Sequence, residues 1–454
     1  MAEAVDVVVI GMGPGGEALA GTLASAGLSV VGVEERLVGG ECPYWGCVPS
    51  KMMIRSAGLL AEARRVPGMA GESRVRPDWS PVARRIREEA TTDWDDRVAV
   101  DRFTGQGGRF VRGRGRLAGP GTVVVDGEHT REFRACRAIV LATGTEPDVP
   151  PIPGLWGSGY WTNRGAVETT EVPESLCVLG AGAVGAELAQ VFSRFGSRVT
   201  VVEAADRLLP AEEPGAGDLV SRVFEAEGIT VRTGSPARKV SHDGTGFVLD
   251  LDGERVRARR LLVSTGRRTR LEDLGVETVD VDSRKRFVEV DERMRAAPGV
   301  WAVGDVTGRG QFTHVSVYQA RIAAADILGE DVGGAEYHAL PRVTFTDPEI
   351  GSVGLTEAQA RERGADVRTA RAEVASSARG WIHKAGNEGF VKLVVDARSD
   401  TLVGATSAGP TGGEVLGALT LAVHARIPVE RLRSMIYAYP TFHRAIEDAL
   451  GELG

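Results

Sequence analysis

The stretch Val5-Asp6-Val7-Val8-Val9-Ile10-Gly11-Met12-Gly13-Pro14-Gly15-Gly16-Glu17, continued by Ala18–Leu28 and closed by Ser29-Val30-Val31-Gly32-Val33-Glu34, reads as strand, tight turn, helix and strand. Asp6–Ile10 is apolar and β-rich, Glu17–Ser25 is helix-like, and Ser29–Val33 is a second apolar strand ending at Glu34. Gly11, Gly13 and Gly16 carry the G-x-G-x-x-G spacing of a dinucleotide-binding βαβ unit. One glycine makes the turn, one lets the backbone approach a pyrophosphate, and one lets the helix pack on the strand. The helix N-terminus then meets the phosphate charge. A carboxylate at the end of the second strand, here Glu34, can bind ribose hydroxyls.

The same unit recurs further along. Ser175–Leu179 is a strand, Gly180, Gly182 and Gly185 form the turn, Ala186–Phe195 continues as helix, and Arg198–Val202 is a strand closing on Glu203. A lone glycine fingerprint is weak evidence. Two, each between strand and helix and each with an acidic residue about 20 positions on, point to two bound dinucleotides. Between them, Ala138–Thr143 followed by Gly144 reads as strand and turn, and the proline-rich Pro147–Pro153 is a stiff connector. Arg260–Thr265 with Gly266 closes the second unit, and Val300–Val303 leads to Gly304 and Asp305. Beyond about residue 335, β-rich stretches (Val343–Phe345, Phe390–Val395, Leu402–Thr406) alternate with helices such as Gly413–Ala425, as in a separate α+β domain.

The chain has 454 residues, enough for roughly three domains. Its 43% hydrophobic and 26% charged content is ordinary for a globular protein. No run of about 18 apolar residues suggests a membrane span. Val5–Ile10 lacks the basic start and length of a signal peptide, so a cytoplasmic location is expected. The net charge of −8 and the absence of a basic, aromatic-interleaved stripe argue against nucleic acid or anionic lipid as partners. The arginines at Arg109–Arg116 read as a solvated face or loop. Of the four cysteines, Cys136 and Cys177 stand singly in apolar surroundings and read as inert core residues. Cys42 and Cys47 are spaced C-x-x-x-x-C and need another explanation.

That explanation lies in Gly39-Gly40-Glu41-Cys42-Pro43-Tyr44-Trp45-Gly46-Cys47-Val48-Pro49-Ser50-Lys51, which resembles the redox-disulfide motif of the class I pyridine nucleotide–disulfide oxidoreductases. This family includes dihydrolipoamide dehydrogenase, glutathione reductase and mercuric reductase. The resemblance extends over the chain, through both fingerprints, the Gly304–Asp305 turn and Phe345-Thr346-Asp347-Pro348-Glu349. The physical reading agrees: two cysteines five apart at a helix start can close a disulfide, and the helix N-terminus stabilises a thiolate when it opens. A zinc site would need further Cys or His ligands nearby, and none follow.

The resemblance implies FAD on the first fingerprint, with Glu34 at its adenosine ribose, Asp305 at its ribityl chain and Thr143–Gly144 in the following turn. It makes Cys47 the flavin-side thiol and Cys42 the outer thiol that attacks a substrate disulfide. Lys51 is then expected near the flavin's hydride-accepting nitrogen, paired with Glu187. The second fingerprint, with Gly266 at the domain entrance, is implied to hold the nicotinamide cofactor. Glu203 repels a 2′-phosphate and so favours NADH over NADPH.

One part of the family pattern is broken. Where members carry His-Pro-Thr and a later glutamate, this chain reads Tyr439-Pro440-Thr441-Phe442-His443-Arg444. A phenol, with a pKa of about 10, is a poor base near pH 7. Tyr439 can still donate a hydrogen bond, and His443, one turn on if the segment is helical, is a candidate replacement base. No cysteine follows Cys177, which argues against mercury reduction, and His314 reads as structural.

The expected architecture is α/β: two Rossmann-like domains, for FAD (1–150 and 270–335) and NAD (151–269), plus an α+β dimerisation domain (336–454). The expected activity is hydride transfer from NADH through FAD to Cys42–Cys47, and on to a small-molecule disulfide or related sulfur substrate other than lipoamide, in a homodimer. The alternative is flavin-mediated reduction of quinones or a biosynthetic intermediate, with the cysteines outside the electron path. A non-enzymatic redox-sensing or subunit role is a third reading.

Overall fold

A run of valines with apolar residues at consecutive positions suits a strand covered on both faces, and Val7, Val8, Val9 and Ile10 are all buried. In the computed structural model, which describes residues 2–453, they end strand Glu3–Ile10. It lies between Val30–Glu34 and Arg131–Leu141, parallel to both. The sheet has eight strands, in the order Arg295–Ala297, Val300–Ala302, Arg131–Leu141, Glu3–Ile10, Val30–Glu34 and Arg109–Arg112, with Arg114–Leu117 and Thr122–Asp126 attached beside Arg131–Leu141. Helix Pro14–Ser25 opens with proline in its first turn, where a missing amide breaks no helical bond, and packs on Thr313–Leu328. Leu19, Leu23, Phe103, Ile139 and Val140 join the core beneath.

The chain divides into two compact units. The first comprises Met1–Pro49, Arg84–Asp148 and Arg267–Glu336; the second comprises Ser50–Ala83, Val149–Gly266 and Tyr337–Gly454. The second unit repeats the βαβ pattern with Ser175–Leu179, helix Ala183–Arg194 and Arg198–Val202. These strands sit in a four-stranded parallel sheet with Thr230–Arg232 and Arg260–Val263. An antiparallel sheet of five strands follows, in the order Pro341–Thr344, Glu349–Gly354, Thr401–Gly409, Phe390–Asp396 and Val367–Glu373. Helix Gly412–His424 covers it, and Leu393, Leu402, Leu416 and Leu419 form its core. The mixed α/β class expected from the sequence is the one observed.

The differences are local. Both fingerprint helices start earlier than their apolar pattern suggests, at Pro14 and Ala183, because fingerprint residues themselves form the first turn. The strand expected at Ala138–Thr143 runs from Arg131 to Leu141. Cys136, expected in the core, is exposed. Its strand shifts register against Glu3–Ile10 between the Val5–Ala135 and Val7–Ala138 pairs, and the irregularity turns Cys136 outward. Cys177 is buried as expected, and burial pushes its thiol up to about 12. The Arg109–Arg116 segment is two short strands rather than a loop, with its arginines on an exposed face. No helix among the described residues is long and apolar enough to cross a membrane.

Candidate active site

The two fingerprint turns are built alike. Gly11 and Gly180 have φ of +94° and +98°, a region that favours glycine. Their amides donate to Val33 and Val202 at 2.8 and 2.9 Å. A Cβ on Gly16 would stand 2.1 Å from the Gly11 carbonyl oxygen, and one on Gly185 would stand 2.0 Å from that of Gly180. A Cβ on Gly13 or Gly182 would meet nothing within 4 Å. The third glycine is therefore a packing requirement, while the second faces open space.

The strand-end glutamates also match. Glu34 accepts from the Met12 and Arg36 amides at 2.9 and 2.8 Å, and Glu203 accepts from the Ala181 and Ala205 amides at 2.7 and 2.8 Å. Each carboxylate ties its strand end to its own glycine turn. Burial holds the Glu34 carboxyl above the usual carboxylate range, with its two amide donors opposing. The Thr143 amide lies against Gly11 and the Thr265 amide against Gly180, so the turns carrying Gly144 and Gly266 flank the two fingerprints.

Asp305 follows Gly304, whose φ is +83°. Its carboxylate accepts from Thr145 Oγ1 at 2.9 Å, and Arg267 lies 3.9 Å away. Arg267 also donates to Thr145 Oγ1 and to the Thr145 carbonyl, both at 2.7 Å. Burial raises the Asp305 carboxyl above its usual range, with Arg267 and Thr145 opposing. Gln319, fully buried, accepts from the Gly304 amide at 2.6 Å and donates to Thr307 at 3.1 Å, fixing the turn.

Cys47 opens helix Cys47–Arg65, and Cys42 sits on its own short helix, Glu41–Tyr44, rather than on a shared one. Both are free thiols, and Cys47 Sγ lies 3.7 Å from Thr313 Oγ1. Cys47 is exposed and Cys42 half-buried. Hydrogen bonding to Cys47, and then burial, raise the Cys42 thiol above its ordinary value. One turn beyond Cys47, Lys51 Nζ donates to Glu187 Oε2 at 2.8 Å and lies 4.7 Å over the Phe345 ring. Glu187 Oε1 accepts from the Phe345 amide, also at 2.8 Å. The structure thus brings together the Lys51–Glu187 pair named from the sequence.

At the C-terminal end, Tyr439 is 68% exposed and the Arg444 guanidinium stands 5.1 Å over its ring. Arg444 also pairs with Glu447 at 2.8 Å. The shared helix assumed for Tyr439 and His443 does not form. Pro440 interrupts the segment, a helical turn begins only at Phe442, and the His443 ring sits 6.1 Å from Tyr437. His314 is exposed and stacks on Phe312 at 5.2 Å.

The family profile described as pyridine nucleotide-disulphide oxidoreductase matches residues 5–320, and the dimerisation domain of the same family matches residues 340–450. The chain belongs to this family. Members of this pyridine nucleotide-disulphide oxidoreductase family are FAD-dependent enzymes that use a pyridine nucleotide. The chain is 33% identical to a dihydrolipoyl dehydrogenase of Thermus scotoductus, over 98% of this chain and 96% of the other. It is 34% identical to a mercuric reductase of Streptomyces lividans, over 97% and 94%. Among solved structures, the HOCl-induced flavoprotein disulfide reductase RclA from Escherichia coli, in a Cu(II) complex, superposes with a TM-score of 0.87 at 27% identity over 99% of both chains. LpdA from Mycobacterium tuberculosis gives 0.87 at 26%, over 99% and 100%.

Within this oxidoreductase, several residues at the site were missed by sequence reasoning. Thr145, Arg267, Thr313 and Gln319 belong to no short motif. Thr145, Arg267 and Thr313 meet their partners across long sequence separations, 122 residues for Arg267–Thr145 and 266 for Cys47–Thr313, while Gln319 reaches back 15 residues to Gly304. The one local signal was the arginine pair directly after Gly266.

Proposed function

We propose that this oxidoreductase takes electrons from NADH and delivers them through Cys42 and Cys47 to a disulfide or related sulfur compound other than lipoamide. The observation that carries the reading is the pair of free thiols, Cys47 opening helix Cys47–Arg65 and Cys42 on the short helix Glu41–Tyr44 just before it. In it Cys47 would take the flavin side and Cys42 the substrate side. FAD suits the first fingerprint: Gly13 leaves open space where a phosphate needs it, and Ser316 Oγ, buried against Gly15, has no partner among the described residues. Gly11, Gly13, Gly16, Glu34, Thr143, Gly144 and Asp305 would hold it, in a domain of residues 1–150 and 270–335. Bound there, FAD supplies the two-electron relay between nicotinamide and sulfur.

Gly180, Gly182, Gly185, Glu203 and Gly266 would hold the nicotinamide cofactor in a domain of residues 151–269. Glu203, tied to the Ala181 and Ala205 amides, keeps its negative charge at the strand end, where it repels a 2′-phosphate. Lys51, held by Glu187, would supply positive charge to the flavin. When the disulfide opens, the positive end of the Cys47 helix stabilises the thiolate left on Cys47. Cys42 passes its proton to the Cys47 thiolate as it attacks the substrate disulfide, forming a mixed disulfide and expelling one thiolate, which takes up that proton; Cys47 then attacks Cys42, closing the Cys42–Cys47 disulfide and releasing the second thiolate. Residues 336–454 form the dimer interface, and Tyr439, with Arg444 over its ring, serves as a hydrogen-bond donor to the leaving thiolate.

A second reading, direct reduction of a quinone-type acceptor with the cysteines bypassed, is favoured by one observation: Tyr439 stands where relatives of the disulfide-reducing kind use an imidazole base. Anaerobic reductive titration of wild type and Cys47→Ser, with NADH and with NADPH, separates the two. The sulfur reading expects two-electron uptake and a long-wavelength thiolate-to-flavin band in wild type only, reached more readily with NADH. Simple bleaching of the flavin, identical in both proteins, would sink it and favour the quinone reading.

A further inference from the structure

Glu187 does not stand alone on its helix. Gln190 and Arg194 follow at i+3 and i+7, on the same face, and all three are about 4% exposed. Polar groups this deeply buried need partners, and theirs lie largely on one segment, Phe345–Asp347. Gln190 Oε1 accepts from the Asp347 amide at 2.7 Å, while Gln190 Nε2 donates to the Asp347 carbonyl at 2.9 Å and to Glu227 at 3.2 Å. Arg194 donates to the Asp347 carboxylate at 2.8 Å and to Glu227 at 2.5 and 3.0 Å. Arg65, at the far end of the helix that begins with Cys47, donates to the same Asp347 carboxylate at 2.8 Å.

A primary amide that uses both its ends on one residue's backbone permits a single register between the segment and the helix. A slip of one residue would oppose donor to donor. Two residues earlier, the same segment supplies the Phe345 amide to Glu187 and the Phe345 ring beneath Lys51. Lysine is a flexible stem bearing a point charge, so its position depends on what holds the ammonium.

We propose that Gln190, Arg194 and Asp347 are positioning residues for Lys51, locking the Phe345–Asp347 segment onto helix Ala183–Arg194 so that Glu187 and the Phe345 ring hold the ammonium in one place. The inference rests on the reading above that Lys51 acts on the flavin.

The test is a double-mutant cycle on the FAD-loaded enzyme, using Lys51→Met, Gln190→Met and the pair together, read as the flavin midpoint potential by anaerobic equilibrium titration. Lys51→Met removes positive charge and shifts the flavin equilibrium about tenfold towards the oxidised form, about 30 mV for a two-electron couple. Gln190→Met shifts it the same way by about threefold, and the double variant matches Lys51→Met alone, because the clamp has nothing left to position. A Gln190→Met shift that persists undiminished in the Lys51→Met background, or no shift in a folded Gln190→Met, overturns the clamp. If Lys51→Met itself leaves the potential unmoved, the reading of Lys51 fails and the clamp falls with it. Should Gln190→Met not fold, Asp347→Asn, which keeps the clamped backbone groups and removes the charge, carries the same expectation and the same refutation.

Discussion

Cys42 and Cys47 are five residues apart yet differ in burial, and the difference sets how the reduced pair loses protons. The Cys42 thiol is raised by its hydrogen bond to Cys47 and by burial, so it keeps its proton to higher pH than an ordinary cysteine. Cys177 is raised to about 12 by burial. In a Cys136→Ser background, the reduced protein should therefore develop at most one thiolate per chain between about pH 7 and about pH 10, measured by ultraviolet absorbance. Two thiolates in that range would show that Cys42 is not held protonated. At this scale the sequence was most informative where a residue's role is local. Glu34 and Glu203 could be named because each acts on its own βαβ turn. Tyr439 could be flagged because its side chain cannot do what an imidazole does. Cys136 was misread because burial follows from strand register, which its own neighbours do not encode.

Among the elements, the two strand–turn–helix units were legible apart from helix starts three residues early, since apolar run, glycine spacing and closing carboxylate fall within about 30 positions. The structure adds a division of labour between their glycines, and this gives a paired prediction. Gly16→Ala forces a Cβ to 2.1 Å from a carbonyl oxygen and should destabilise the protein by about 1–3 kcal/mol, seen as a lower thermal midpoint. Gly13→Ala meets no protein atom and has an ordinary φ of −68°, so its apoprotein should melt like wild type while its FAD affinity falls by about tenfold or more. Equal FAD affinity in Gly13→Ala and wild type would remove the phosphate from that space. The segment around Tyr439 fared worse. A four-residue spacing suggested one helical face, but Pro440 and a late helix start at Phe442 separate the two side chains.

For the molecule as a whole, the chain matches the family's dimerisation domain over residues 340–450, and that region leaves apolar side chains in water. Ile436 is 96% exposed, Met435 45% and Tyr439 68%, all within five residues. Apolar surface gathered this closely usually marks an interface. Ile436→Glu should convert a dimer to monomers in sedimentation velocity and abolish disulfide reduction, while flavin stays bound. A variant that remains dimeric would place the interface elsewhere. The amino-acid order alone determined the fold class, the two βαβ units and the spaced cysteine pair, because each rests on short-range periodicity or on a motif of fixed spacing, whereas the Lys51–Glu187 match, 136 positions apart, came from the family resemblance. That order did not disclose the Arg267–Thr145–Asp305 cluster, Gln319 beneath Gly304, or the Gln190 clamp on Asp347. Gln190 and Asp347 are 157 positions apart in the chain, and their pairing exists only once helix Ala183–Arg194 and the Phe345–Asp347 segment have packed. Buried polar groups find partners by proximity in space, and packing alone supplies it.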